Sequence, residues 1–335
     1  MRADAVADRT VAVLRADAGP DVGLGHLRRA DAVAARLADW ARCVLLLDDA
    51  PGVRPETPWR RVARDAEATV AAATDENAAA LVVDSYSIDV PRAMVRAAGI
   101  DLLVVFDDHG RPVDADVVVS PGLADTGGRL AGPRFAPLAP VFEAAPSRTW
   151  PRVVERVLVV LGGATPAALM TTLVTAARRA LPAATIDAVV GPAREADTLT
   201  RQLLGLGGVT VHTAPAGLRP LMLAADVAVT AGGVTLLELA ACATPSIAVT
   251  MAPNQVPNVR RLAAAGGVVV AGDATGRDIA GAVEHELREL NEDRTRRQAL
   301  GEAARRLVDG GGARRIAETL RTRLAASRPS EVPRC

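Results

Sequence analysis

The chain has 335 residues, a formal net charge of zero and an apolar content of 50%, which is too long for one ordinary core and suits two domains. Aromatic residues make up only 2% and the charges balance, so a basic surface with stacking platforms for nucleic acid is excluded. Cys43, Cys242 and Cys335 are scattered, and His26, His109, His212 and His285 show no ligand spacing, so neither a disulfide framework nor a metal or other cofactor is expected.

In chain order, the apolar run 11–14 reads as a strand that feeds the glycine-rich turn Gly23-Leu24-Gly25-His26 and a helix over about 27–42. A helix N-terminus presents unpaired N–H groups and a positive dipole end, glycines let a ligand approach the backbone, and a neutral imidazole there suits a general base. Capping or packing of the turn is the plainer role for His26. Further strands are predicted at 44–47, 81–83, 102–106 and 117–119, then at 157–161, 186–190, 209–212, 227–230, 247–250 and 268–270. Continuous β-branched strands separated by helices imply parallel sheets covered on both faces. The segment Glu143-Ala-Ala-Pro-Ser-Arg-Thr-Trp-Pro151 breaks the periodicity and suits a linker. The reading is therefore two doubly wound domains, 1–147 and 148–335, divided near Ser147, with ligands at the carboxyl ends of strands and in the cleft between domains. No apolar run approaches the roughly 20 residues that span a bilayer. Arg2, Asp4, Asp8 and Arg9 interrupt the start of the chain, so no secretory signal is read and a cytoplasmic location is expected.

The second domain carries two strand-end turns of its own. Gly162-Gly163-Ala-Thr-Pro166 follows 157–161, with Pro166 suited to the first helical position. Gly232-Gly233-Val-Thr235-Leu-Leu-Glu238 follows 227–230. Its glycines can bring N–H groups against a diphosphate, Thr235 offers a hydroxyl, and Glu238, one turn into the helix, can accept bonds from ribose hydroxyls. Tight strand-to-helix turns also use glycine with no ligand at all.

Taken together, RADAGPDVGLGHLRR (15–29), VVDSYSID (82–89), FDDHGRPVDADVVVSPG (106–122), GPRFAPLAPVF (132–142), LGGATP (161–166), ADVAVTAGGVTLLELAACATPSIAV (225–249) and PNQ (253–255) resemble the PseG family of UDP-sugar hydrolases. That family sits within the GT-B-fold nucleotide-sugar enzymes. The resemblance implies a GT-B α/β architecture of two Rossmann-like domains and a nucleotide-sugar substrate, most simply a UDP-sugar. It also implies a catalytic trio of His26, Tyr86 and Asn254. Arg15, Asp17, Gly23, Gly25, Asp107, Asp108, Gly162, Gly163 and Gln255 join the Gly232 to Glu238 element as substrate-binding positions. Two departures stand out: Thr165 replaces an acidic residue, and Leu138-Ala139-Pro140-Val141-Phe142 lacks an arginine and a glutamate that the family carries. The implied reaction is water attack at the anomeric carbon with inversion. An inverting glycosyltransferase with the same donor site and a non-catalytic nucleotide-sugar-binding protein are the alternatives.

Overall fold

The computed structural model of the protein describes residues 10–19, 23–48, 55–122, 128–144, 148–162, 165–191 and 196–327. Two compact units emerge: one holds the described residues up to Pro140 together with those from Gly311 onward, and the other spans Val141–Gly310.

The first unit is built from β1 (Val11–Ala16), α1 (Gly25–Leu37), β2 (Arg42–Leu47), β3 (Trp59–Arg61), α2 (Ala66–Asp75), β4 (Ala80–Asp84), α3 (Arg92–Ala97), β5 (Leu102–Phe106), β6 (Val117–Ser120) and β7 (Leu130–Ala131). These strands form one parallel sheet in the order β3-β2-β1-β4-β5-β6-β7. Alternation along β1 explains why the sheet needs cover on both sides: Ala12 and Leu14 pack with Leu27, Val33 and Leu37 of α1, whereas Val11 and Val13 pack with Val70 and Ala73 of α2. The predicted strands at 11–14, 44–47, 81–83, 102–106 and 117–119 are all present. The first helix ends at Leu37, five residues before the expected end, because the chain must enter β2 at Arg42.

The second unit contains β8 (Arg156–Val160), α4 (Ala167–Ala180), β9 (Thr185–Val190), α5 (Ala196–Leu204), β10 (Val209–Thr213), α6 (Arg219–Ala224), β11 (Val227–Ala231), α7 (Val234–Ala241), β12 (Ser246–Thr250), α8 (Val256–Ala264), β13 (Val269–Asp273), α9 (Ile279–Glu292) and α10 (Arg294–Leu307). Its parallel sheet runs β10-β9-β8-β11-β12-β13. Val157, Val159, Ile186, Val227 and Val229 bury one face against Leu173 and Val174 of α4 and Val283 and Leu287 of α9. The helices α7 and α8 pack on β11, β12 and β13.

The unit division departs from the expected split near Ser147, a residue outside the described ones. The first crossing falls after Pro140, and a second follows Gly310, so that α11 (Gly312–Ser327) belongs to the first unit. The cause is burial: Ile316, Ala317, Leu320 and Leu324 of α11 share one core with α1 and β1. Full burial of each Leu or Ile contributes roughly 1.5–3 kcal/mol. At the second crossing Gly310 has φ +82°, and an added Cβ would lie 2.1 Å from the Phe142 carbonyl oxygen, so only glycine fits there. Among the described residues no helix is long and apolar enough to cross a membrane.

Candidate functional site

In the first unit the chemistry gathers at the carboxyl ends of β1, β4 and β5. Gly23 closes the β1–α1 turn through reciprocal backbone bonds with Gly19 of 2.8 and 3.3 Å, and Gly25 opens the helix. His26 follows, 5% exposed. Its Nδ1 lies 2.7 Å from Asp84 Oδ1 and 3.1 Å from the Asp84 carbonyl oxygen. The two Asp84 acceptors lie nearer to this nitrogen than the one donor, Arg29 Nη2 at 3.3 Å, so the proton is assigned to Nδ1, which leaves the lone pair on Nε2, a nitrogen with no hydrogen-bond partner among the described residues. A base oriented by a carboxylate through its other nitrogen is the arrangement that general-base chemistry requires.

The carboxylate is itself held. Arg29, one turn along α1 from His26, donates from Nε to Asp84 Oδ2 at 2.8 Å and from Nη2 to Oδ1 at 2.6 Å, a bidentate fork. Its Nη1 donates to Asp108 Oδ2 at 2.6 Å, and its guanidinium stacks 5.5 Å from the Phe106 ring centroid. Burial pushes the Asp84 carboxyl up, but the Arg29 and His26 charges and bonds outweigh it and hold Asp84 below the usual carboxylate range. Burial likewise opposes the charge on Arg29, and Asp84 and Asp108 more than restore it. Tyr86, on the loop after β4, packs edge-on against His26 with centroids 4.4 Å apart and against His109 at 4.6 Å. Burial pushes its phenol up, so it stays neutral.

The other residues expected in this unit divide. Asp108 joins the cluster by holding Arg29, and its Oδ1 accepts the Gly122 N–H at 3.0 Å. Asp107 is fully buried and committed elsewhere: its oxygens accept from Arg111 Nε at 3.0 Å and Arg129 Nη1 at 2.8 Å. Asp17 borders the cluster, its N–H bonded to the Asp84 carbonyl at 3.3 Å and its Oδ2 accepting from Ser85 Oγ at 2.7 Å. Arg15 lies on the opposite face of β1 from α1, fully buried, with Nη1 bonded to the Val62 carbonyl at 3.0 Å.

In the second unit the Gly232-Gly233 turn leads from β11 into α7. An added Cβ on Gly232 would fall 2.4 Å from Val259 Cγ2 and 3.0 Å from Gln255 Cβ, so the backbone runs here in direct contact with α8. Gln255 secures it: its Oε1 accepts the Gly232 N–H at 3.2 Å and the Met251 N–H at 2.9 Å. The first turn of α7 has no side-chain cap, so its leading N–H groups are of the kind that take an anion. Thr235 is half-buried in that turn and Glu238 is buried one turn on. Asn254 is exposed on the short helix Pro253–Gln255. At the other turn, Thr165 Oγ1 donates to the Gly162 carbonyl at 2.9 Å, and Gly163 lies outside the described residues. His26 and Tyr86 thus sit together in the first unit, and Asn254 belongs to the second. Among the described residues no group of three His, Cys, Asp or Glu is placed to hold a metal ion.

Asp84 and Arg29 are the members that sequence reasoning missed. Two signals existed: an aspartate closing a buried strand two residues before the chain's single tyrosine, and an arginine three residues after His26, hence on the same helical face.

No protein-family model matches the chain, and no curated protein matches its sequence. Solved structures do resemble it. MurG of Acinetobacter baumannii is 14% identical with a TM-score of 0.64, covering 93% of this chain and 99% of that one. The glycosyltransferase SsfS6 of Streptomyces sp. SF2575, complexed with thymidine diphosphate, is 14% identical with a TM-score of 0.63, covering 94% and 100%. The S. aureus MnaA–UDP complex is 10% identical with a TM-score of 0.65, covering 94% and 97%. At these identities the likeness establishes the fold, which is GT-B.

Proposed function

We propose that this GT-B chain is a nucleotide-sugar enzyme that breaks the bond between the sugar's anomeric carbon and the diphosphate, with His26 as general base and inversion at carbon. The observation that carries this reading is the 2.7 Å bond from His26 Nδ1 to Asp84, which directs the lone pair to Nε2. In the proposed step Nε2 takes the proton of a hydroxyl as its oxygen attacks the anomeric carbon. The carbon–oxygen bond to the diphosphate breaks on the opposite face, and its electron pair leaves with the nucleotide. The N–H groups opening α7 offset the charge that gathers on the leaving diphosphate. Gly233 and Thr235 hold that diphosphate and Glu238 holds the ribose, while Gly232, its N–H taken by Gln255, shapes the turn. Tyr86 packs the imidazole in place, and Asn254 orients the nucleophile.

Glycosyl transfer to an acceptor hydroxyl is the first reading, supported by the similarity to SsfS6 and by the nucleoside diphosphates bound in the SsfS6 and MnaA structures. Hydrolysis is the second, in which water replaces the acceptor; the presence of all three of His26, Tyr86 and Asn254 favours it. A panel of UDP-, TDP-, CMP- and GDP-sugars, with and without hydroxyl-bearing acceptors, tests both through nucleotide release. We expect release from a pyrimidine nucleoside diphosphate sugar that rises strongly with an acceptor. Full-rate release without acceptor would put hydrolysis first, and binding without release from any donor would contradict catalysis.

A further inference from the structure

We propose that Arg29 is a positioning residue for His26: by gripping both oxygens of Asp84 it presents that carboxylate to Nδ1 in one orientation and keeps Nε2 free to accept a proton. The inference rests on the general-base reading of His26 given above, but its physical content is a property of the resting protein.

Asp84 alone beside an imidazole would do two opposed things: fix the tautomer through Nδ1 and stabilise the doubly protonated ring, which is useless as a base. The Arg29 fork resolves the conflict. Its two bonds of 2.6 and 2.8 Å share the Asp84 charge, and Nη2 itself stands 3.3 Å from His26 Nδ1, so any imidazolium would face a cation at contact distance. Arg29 is anchored from the far side by Asp108 at 2.6 Å and sits against Phe106, so the fork cannot swing away. The charged and titratable groups around the ring are therefore Asp84 after β4, Arg29 on α1, and the Tyr86 ring, with Asp108 behind Arg29 and His109 behind Tyr86. A lysine cannot replace this fork, because one ammonium does not bond both oxygens in plane.

The test uses the full chain and two readouts. Nitrogen chemical shifts of the His26 ring at one neutral pH, assigned by their loss in His26→Asn, report which ring nitrogens carry protons without any substrate. Arg29→Gln removes the opposing cation, so the share of doubly protonated ring should rise and kcat/KM at that pH should fall with it. Arg29→Lys keeps the charge and loses the fork: its ring spectrum should stay close to that of the wild type, while kcat falls tenfold or more with UDP affinity unchanged. An unchanged ring spectrum in Arg29→Gln would overturn the proposal. If that variant does not fold, wild-type kcat in Arg29→Lys overturns it instead. Should no nucleotide sugar be turned over, the functional reading fails while the ring spectrum still decides the role of Arg29.

Discussion

Two strand-to-helix turns, one in each unit, share a local architecture and differ in what holds them. At the β1–α1 turn the working parts are side chains: His26 is held by Asp84, Asp84 by Arg29, and Arg29 by Asp108, a chain of charge-assisted bonds of 2.6–2.8 Å. At the β11–α7 turn the backbone is what is held: a Cβ on Gly232 would fall 2.4 Å from Val259 Cγ2, and the Gln255 amide oxygen accepts the Gly232 N–H. A fixed side chain with a lone pair suits proton transfer. Fixed N–H groups suit an anion that must be bound and then released as a leaving group. Chemistry and affinity should therefore separate under mutation, one turn to each.

The largest effect belongs to the first turn. His26→Asn should lower turnover by about 10²–10⁴-fold with UDP affinity nearly unchanged, read by steady-state kinetics and calorimetry. Loss of UDP binding in this variant would break the division of labour. Asp84→Asn comes next, because it leaves buried Arg29 short of a partner. About 3 kcal/mol of unfolding free energy should be lost at neutral pH. The folded Asp84 value lies below the unfolded one, so this stabilisation is present above about pH 4 and fades as pH falls through the folded value. Denaturant curves for the two proteins should converge in acid, and a gap independent of pH would contradict an ionised Asp84.

The second turn gives smaller, affinity-directed changes. Gly232→Ala forces Val259 and Gln255 apart and should cost about 1–3 kcal/mol of stability, with UDP binding weakened more than the turnover of bound substrate. Thermal unfolding and calorimetry would show it; an unaltered UDP affinity would place the nucleotide elsewhere. Glu238→Gln keeps the side chain's size and removes its charge. It should weaken UDP by roughly tenfold, about 1.4 kcal/mol, with a smaller change in unfolding free energy. A loss of stability alone would make Glu238 a structural residue of α7.

The legible parts of this protein are those where one physical rule dominates. Runs such as 102–106 and 227–230 are buried on both faces, and only a central parallel strand needs that. The edge strand Trp59–Arg61 escaped because all three of its residues are exposed and two carry charge, so its pairing with β2 leaves no apolar pattern. The α11 stripe of Ile316, Leu320 and Leu324 marks a helix, but nothing in local periodicity says which core it joins, and it returns to the first unit. The site follows the same logic. His26 and the glycine turns announce themselves by residue type. Asp107 and Asp108 look alike in sequence, yet Arg111 and Arg129 claim the first while Arg29 claims the second. Arg111 is a near neighbour of Asp107, but Arg129 and Arg29 lie 22 and 79 positions from the aspartates they bind.

In the proposed reaction a hydroxyl oxygen attacks the anomeric carbon under the control of His26. The direct measurement is a single incubation of enzyme with UDP- or TDP-sugar in ¹⁸O-labelled water, following the label and the product anomer by mass spectrometry and NMR. Attack at carbon leaves the nucleotide unlabelled in every case. An acceptor present should yield an unlabelled, inverted glycoside, water alone should yield a free sugar labelled at its anomeric oxygen, and His26→Asn should suppress both. Label in the nucleotide would mean attack at phosphorus, and retained configuration or undiminished release by His26→Asn would equally rule out inversion under His26.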